Sequence, residues 1–171
     1  PGVAFPSAAE LASADGLMAG MPAASTMFGI VTLSFWAIGV ATDYSTGLIR
    51  LLVAAMPERW PLLVGKVAAL ALLTAVATTV ATVVTVGIAP AGAQSAGIDT
   101  SAWAGSAAST IISTWASAYL ALLVWGVIGL AIAYLTRSSA IAISVGAGYV
   151  LVVESMISRL FDTPPDWLLS G

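Results

Sequence analysis

The chain has 171 residues, 60% hydrophobic and 8% charged, with a formal net charge of −3 and a mean hydropathy of +1.03. A soluble domain is about a quarter charged, so this composition cannot cover a water-facing surface and belongs in a bilayer. With no Cys, no His and five Lys+Arg against eight Asp+Glu, thiol chemistry, disulfides, soft-metal or haem ligation and His-based acid/base work are excluded, as is a basic stripe for nucleic acid.

In chain order, residues 1–23 read as an outer segment. It contains Ser7-x-x-Glu10, a capping-box pattern that predicts a short helix after Pro6, with Leu11 and Met18 laying one side on the membrane surface. A span needs about 20 mostly apolar residues, and four stretches qualify: 24–42, 62–89, 107–136 and 140–160. Backbone groups in lipid must be satisfied within the segment, so these are helices; the alternation of a transmembrane barrel is not visible. The fold class is therefore all-α, a polytopic membrane helix bundle forming one transmembrane domain over 1–171. Between the spans lie a charged connection (43–61) and a Pro/Gly/Ser outer loop (90–106). Beyond 160, "FDTPPDWLLSG" reads as a turn.

Orientation follows from the cations. Arg50, Arg59 and Lys66 lie in or beside the first connection and Arg137 between the last two spans, while Arg159 falls on the other side. The positive-inside rule makes 43–61 and 136–139 cytoplasmic, and puts Pro1 and Gly171 outside. Residues 1–23 then need something earlier to carry them across, either a cleaved signal or a transmembrane helix, and the expectation is a helix preceding Pro1 in a longer protein. Trp60 and Tyr134 fall at the inner boundary and Trp103 and Trp167 near the outer one, as an aromatic belt would place them.

Within the connection, Leu48, Leu51, Leu52, Ala55 and Met56 recur at the spacing of one helical face. Asp43 or Thr42 is placed to cap this short surface helix, and Pro57 ends it. A loop resting at the interface is the plain alternative. The stretch resembles a segment of the permease subunits of bacterial type-2 ABC exporters that reads roughly E-Y-R-x-G-T-x-R-x-L-L-x-x-P-x-x-R-x-x-L-x-x-K. Matching positions are Tyr44, Gly47, Arg50, Leu52, Pro57 (displaced by one), Arg59 and Lys66; Asp43, Ser45 and Leu48 depart from it. "LTRSSAIAISVGAGYVLVVESMISRL" is similar to the family's R-S-S/T-A-x-A-I-x-x-G, followed by an apolar run and a Glu. The resemblance covers about 16–171.

That resemblance implies six transmembrane helices, of which the four here are the second to fifth. It implies that residues 44–58 form a coupling helix docking on an ATP-binding subunit, with Asp43, Tyr44, Gly47, Arg50, Leu51, Leu52, Met56 and Arg59 as the docking residues. The implied partners are ATP-binding subunits, a second permease subunit (the same or related) and membrane lipids. This chain has no phosphate-binding loop, since Gly65-Lys66 is followed by Val67 and position 60 is Trp, so ATP and Mg are expected on the partner and not here. The chain is read as a transport subunit and not an enzyme.

Two features inside the spans bear on a transport path. Glu154 is the one carboxylate well within a span; it reads either as pairing with Arg159 or another helix or reaching water at the interface, or as part of a path or gate. Thr74, Thr78, Thr82 and Thr85 lie along one helical face. They would line a polar route, bond to a neighbouring helix, or return their hydroxyls to their own i−4 carbonyls. Gly126 with Gly129, and Gly146 with Gly148, are read as allowing close helix packing. Two other classes stay open: a non-transporting membrane scaffold, and an ion-coupled transporter using Glu154.

Overall fold

A computed structural model describes residues 7–47, 60–136 and 138–148. Among the described residues all regular structure is helical: α1 (Ala8–Leu11), a 3-10 turn (Gly16–Met18), α2 (Gly20–Ser45), α3 (Trp60–Ser95), α4 (Trp103–Thr136) and α5 (Ser139–Gly148). The all-α expectation is met at that level. By length and composition, α3 with 36 residues and α4 with 34 are long and apolar enough to cross a membrane, as a membrane helix bundle requires. At 1.5 Å per residue they are about 50 Å long, more than the ~30 Å of a hydrocarbon core. The apolar part of α2, Met27–Asp43, is shorter. Only the start of the expected fourth span, in α5, is described.

The exterior of α3 is apolar and its interior is hydroxylated. Leu72, Val76, Val80 and Val83 are 67%, 54%, 57% and 66% exposed, whereas Thr74, Thr78 and Thr82 are buried. Water would favour the reverse arrangement; in lipid a valine on the outside costs nothing and a buried Thr can satisfy itself. Each of these three threonines, and Thr85, donates its hydroxyl to the carbonyl four residues back, at 2.8–2.9 Å.

Helix α2 packs chiefly on α4 through reciprocal notches. A Cβ added at Gly126 of α4 would meet the Trp36 ring of α2 at 2.5 Å, and one added at Gly29 of α2 would meet the Trp125 ring of α4 at 2.6 Å. At Gly129 it would meet the backbone oxygen of Leu33 at 2.5 Å. The packing role expected of Gly126 and Gly129 is met. At Gly148 no described atom lies within 4 Å of an added Cβ, so the same role is absent there among the described residues; Gly146 lies in the α5 backbone. Trp36, Ala37 and Val40 of α2, Leu70 of α3, and Leu130 and Ala133 of α4 form one core cluster.

A second cluster closes the opposite end of α3 and α4: Leu17, Met18, Met21, Ala93 and Trp103. It corrects three expectations. Met18 is buried at 2% exposure instead of lying on a membrane surface. Trp103 is buried too, and its Nε1–H donates to the Leu11 carbonyl at 3.0 Å, so it is a packing residue and not a belt residue. The loop expected over 90–106 is shorter, because α3 runs through Pro90 to Ser95. Proline removes one amide hydrogen bond but does not terminate this helix. Termination comes at Gly97, φ 69. There the Ile98 N–H donates to the Ala93 carbonyl and the Gly97 N–H to the Gln94 carbonyl, a Schellman closure. Ala93 and Ile98 both belong to the second cluster, which holds the helix end in place.

The short N-terminal helix is as expected. Ser7 and Glu10 form a reciprocal capping box, with the Ser7 N–H donating to the Glu10 carboxylate at 2.6 Å. The following turn is pinned to α4 by Ser106 donating to the Ala14 carbonyl and Thr110 to the Asp15 carboxylate.

Candidate functional site

Lys66 stands two turns inside α3 from its start at Trp60, about 9 Å along an apolar helix. A cation there needs a partner, and α2 supplies two. Lys66 Nζ donates to Asp43 Oδ2 at 2.6 Å and to the Gly39 carbonyl at 2.7 Å. The side chains of the pair are 25% and 21% exposed. Removing either partner would leave a partly buried charge uncompensated, whereas a neutral pair would not.

A second polar bond joins the same helices further in. Trp36, fully buried, donates its Nε1–H to Thr74 Oγ1 at 3.0 Å. Stepping back seven residues along α2, from Asp43 to Trp36, corresponds to stepping forward eight along α3, from Lys66 to Thr74. That is an antiparallel register with fasteners about two turns apart. Thr74 is thereby both a donor to the Leu70 carbonyl and an acceptor from Trp36.

Asp43 lies in the last turn of α2, where its carboxylate accepts from Lys66; the surface helix that Asp43 or Thr42 is expected to cap lies outside the described residues. The Thr42 hydroxyl donates to the Ile38 carbonyl at 2.8 Å. The apolar run simply keeps helical geometry to Ser45. Tyr44 lies in the α2 backbone. The Thr46 N–H still donates to the Thr42 carbonyl, and Gly47, at φ 70, turns the chain out of the helix. Gly47 is required by that left-handed backbone, a role independent of docking. Arg50, Leu51, Leu52, Met56 and Arg59 lie outside the described residues, as does Glu154.

Thr78 and Thr82 are 2% and 6% exposed. With their hydroxyl protons committed to the Thr74 and Thr78 carbonyls, they match the self-satisfied one of the three arrangements expected for this face. Thr79, one residue on from Thr78, accepts the Trp115 Nε1–H at 3.1 Å. Trp115 stacks on Tyr119, ring centroids 5.3 Å apart, and the Tyr119 hydroxyl donates to the Ala71 carbonyl. These bonds join α3 to α4.

In the sequence Lys66 reads as a marker of sidedness and a matching position of the resemblance, and nothing singles out Trp36. The signal for the ion pair was present: a lysine inside an apolar run must find a carboxylate, and Asp43 lies just across the connection. At the opposite end the carboxylates face water. Hydrogen bonds from the Ser7 amide and hydroxyl lower the pKa of Glu10 below its ordinary 4.5. The Ser101 amide and hydroxyl lower Asp99 below 3.8. No group of three Asp or Glu that could hold a metal occurs among the described residues.

A family model described as a protein of unknown function (DUF2705) matches residues 2–169, nearly the whole chain. No curated protein and no solved structure matches it.

Proposed function

We propose that this chain, which belongs to the DUF2705 family, is part of the membrane-spanning permease subunit of an ATP-driven exporter. Residues 24–42, 62–89, 107–136 and 140–160 are four of six spans in a cell membrane, with 43–61 and 136–139 on the cytoplasmic side. A second permease subunit, identical or related, completes the substrate path. ATP and Mg reside on separate ATP-binding subunits, whose closure reaches the bundle through residues 44–58.

One observation carries this reading. The segment that resembles a coupling element joins the helices α2 and α3, and those helices are bonded to each other at its base through Asp43 and Lys66. A push on such a segment reaches both helices together. Tyr44, Arg50, Leu51, Leu52, Met56 and Arg59 supply the docking surface. The apolar exterior of α3 supports the membrane setting. Glu154 is kept as the candidate path or gate residue; Thr78 and Thr82 serve packing in this reading.

The test replaces Leu51, Leu52 and Met56 with Ser in the full-length chain and measures copurification of an ATPase. Association with the unaltered chain and its loss in the variant is the expected result. Unaltered chain that brings down no ATPase rejects the reading in favour of a scaffold.

A further inference from the structure

The junction between α2 and α3 is unlike the other helix contacts. Helix α2 packs along α4 but meets α3 sparsely. Among the described residues, Leu70 is the only buried α3 residue in the cluster with Trp36, Ala37 and Val40. Val67 and Ala71 of α3, partly buried, pack against the same cluster; the directional bonds from α2 to α3 among the described residues are Lys66 to Asp43, Lys66 to the Gly39 carbonyl, and Trp36 to Thr74. Lys66 holds two acceptors one helical turn apart on the same face of α2, which fixes both the separation and the rotation of the two helix ends. An apolar contact of similar size would resist separation but would permit sliding, because it has no direction.

We propose that Asp43 and Lys66 form a directional fastener that makes the adjoining ends of α2 and α3 move as one body. Its use in passing force from an ATP-binding subunit rests on the reading above; the fastening itself does not. Asp43 and Lys66 are positioning residues here, since neither contacts a substrate or nucleotide in this role. The arrangement predicts that helix orientation at this end is set by charge and hydrogen bonding, while the bundle elsewhere is held by the Gly–Trp notches of α2 and α4.

The 171 residues contain no Cys, so Thr46→Cys and Trp60→Cys can carry spin labels at the ends of α2 and α3, both on exposed positions. The full chain is placed in lipid discs and the distance between labels is measured by pulsed spin resonance. The parent is expected to give one narrow distribution, with the narrow peak lost in Asp43→Asn and in Lys66→Met and restored in Asp43→Glu. Either single variant strands a charge and can fail to fold. The double variant Asp43→Leu with Lys66→Met removes both charges and keeps the apolar volume, so it tests the fastener in a folded bundle. Loss of the narrow peak in the double variant supports the proposal; a peak as narrow as the parent's overturns it. Copurification of an ATP-binding subunit is scored on the same preparations. Its absence from the parent rejects the coupling reading and leaves the distance result to decide the fastener on its own.

Discussion

Gly126 illustrates how single atoms decide this bundle. The Trp36 ring occupies the space where a Cβ would stand, 2.5 Å away, and the ring cannot retreat because its Nε1–H is held by Thr74. Gly126→Ala is therefore expected to destabilise the bundle by about 1–3 kcal/mol, the cost of overpacking a filled site. Reversible unfolding in mixed micelles measures it. Pairing it with Trp36→Phe, which frees the ring from Thr74, should recover part of the loss, since residues in contact couple. The small residue at 126 was legible in the sequence as a packing position. Its partner was not: nothing in the spacing of α2 tells Trp36 from Phe35, and the choice depends on which face α4 meets. Phe35 is 48% exposed and Trp36 fully buried.

At the scale of an element, the end of α3 shows the same split between local and tertiary control. Pro90 and the Gly- and Ala-rich run after it read locally as a loop, yet the helix continues to Ser95. The stop signal is Gly97, whose left-handed φ of 69 closes the Schellman motif against Ala93 and Gln94. Gly97→Ala should cost about 1–2 kcal/mol, because an L side chain resists that conformation. Gly92 lies within the helix with no described atom within 4 Å of an added Cβ. Gly92→Ala is expected to stabilise by about 0.5–1 kcal/mol instead. Thermal unfolding of the two variants should thus shift in opposite directions; shifts of the same sign would contradict the assigned helix end. The start of helix α1 is set locally, since the capping box joins Ser7 to Glu10, three positions on. At its end the Leu11 carbonyl accepts from Trp103, 92 positions away in sequence, which no local pattern encodes.

At the scale of the molecule, the decisive property is which residues face outward. Val76 is 54% exposed near the middle of α3. On the surface of a soluble protein, Val76→Arg would change stability by no more than about 0.5 kcal/mol. In a lipid-facing helix an arginine at the centre costs about 2.5–3.5 kcal/mol of insertion free energy. The expected outcome is a marked fall in the membrane-inserted fraction, measured by alkaline extraction of membranes from expressing cells; full retention in the inserted fraction would count against a lipid-facing α3.

The sequence by itself determined that the chain is apolar, that its described residues are helical, and that its cations gather in and beside one connection. Those properties are sums over local composition and period, so they survive without knowledge of any neighbour. Only the tertiary structure decided that Lys66 answers to Asp43 and Gly39, that Trp36 rests in the notch of Gly126, and that Met18 and Trp103 turn inward. In lipid, apolar burial gives little preference for one helix face over another. Pairing is then set by small residues, hydrogen bonds and charges that must find each other across helices. Those matches are properties of two surfaces at once, and a single strand of sequence carries only one of them at a time.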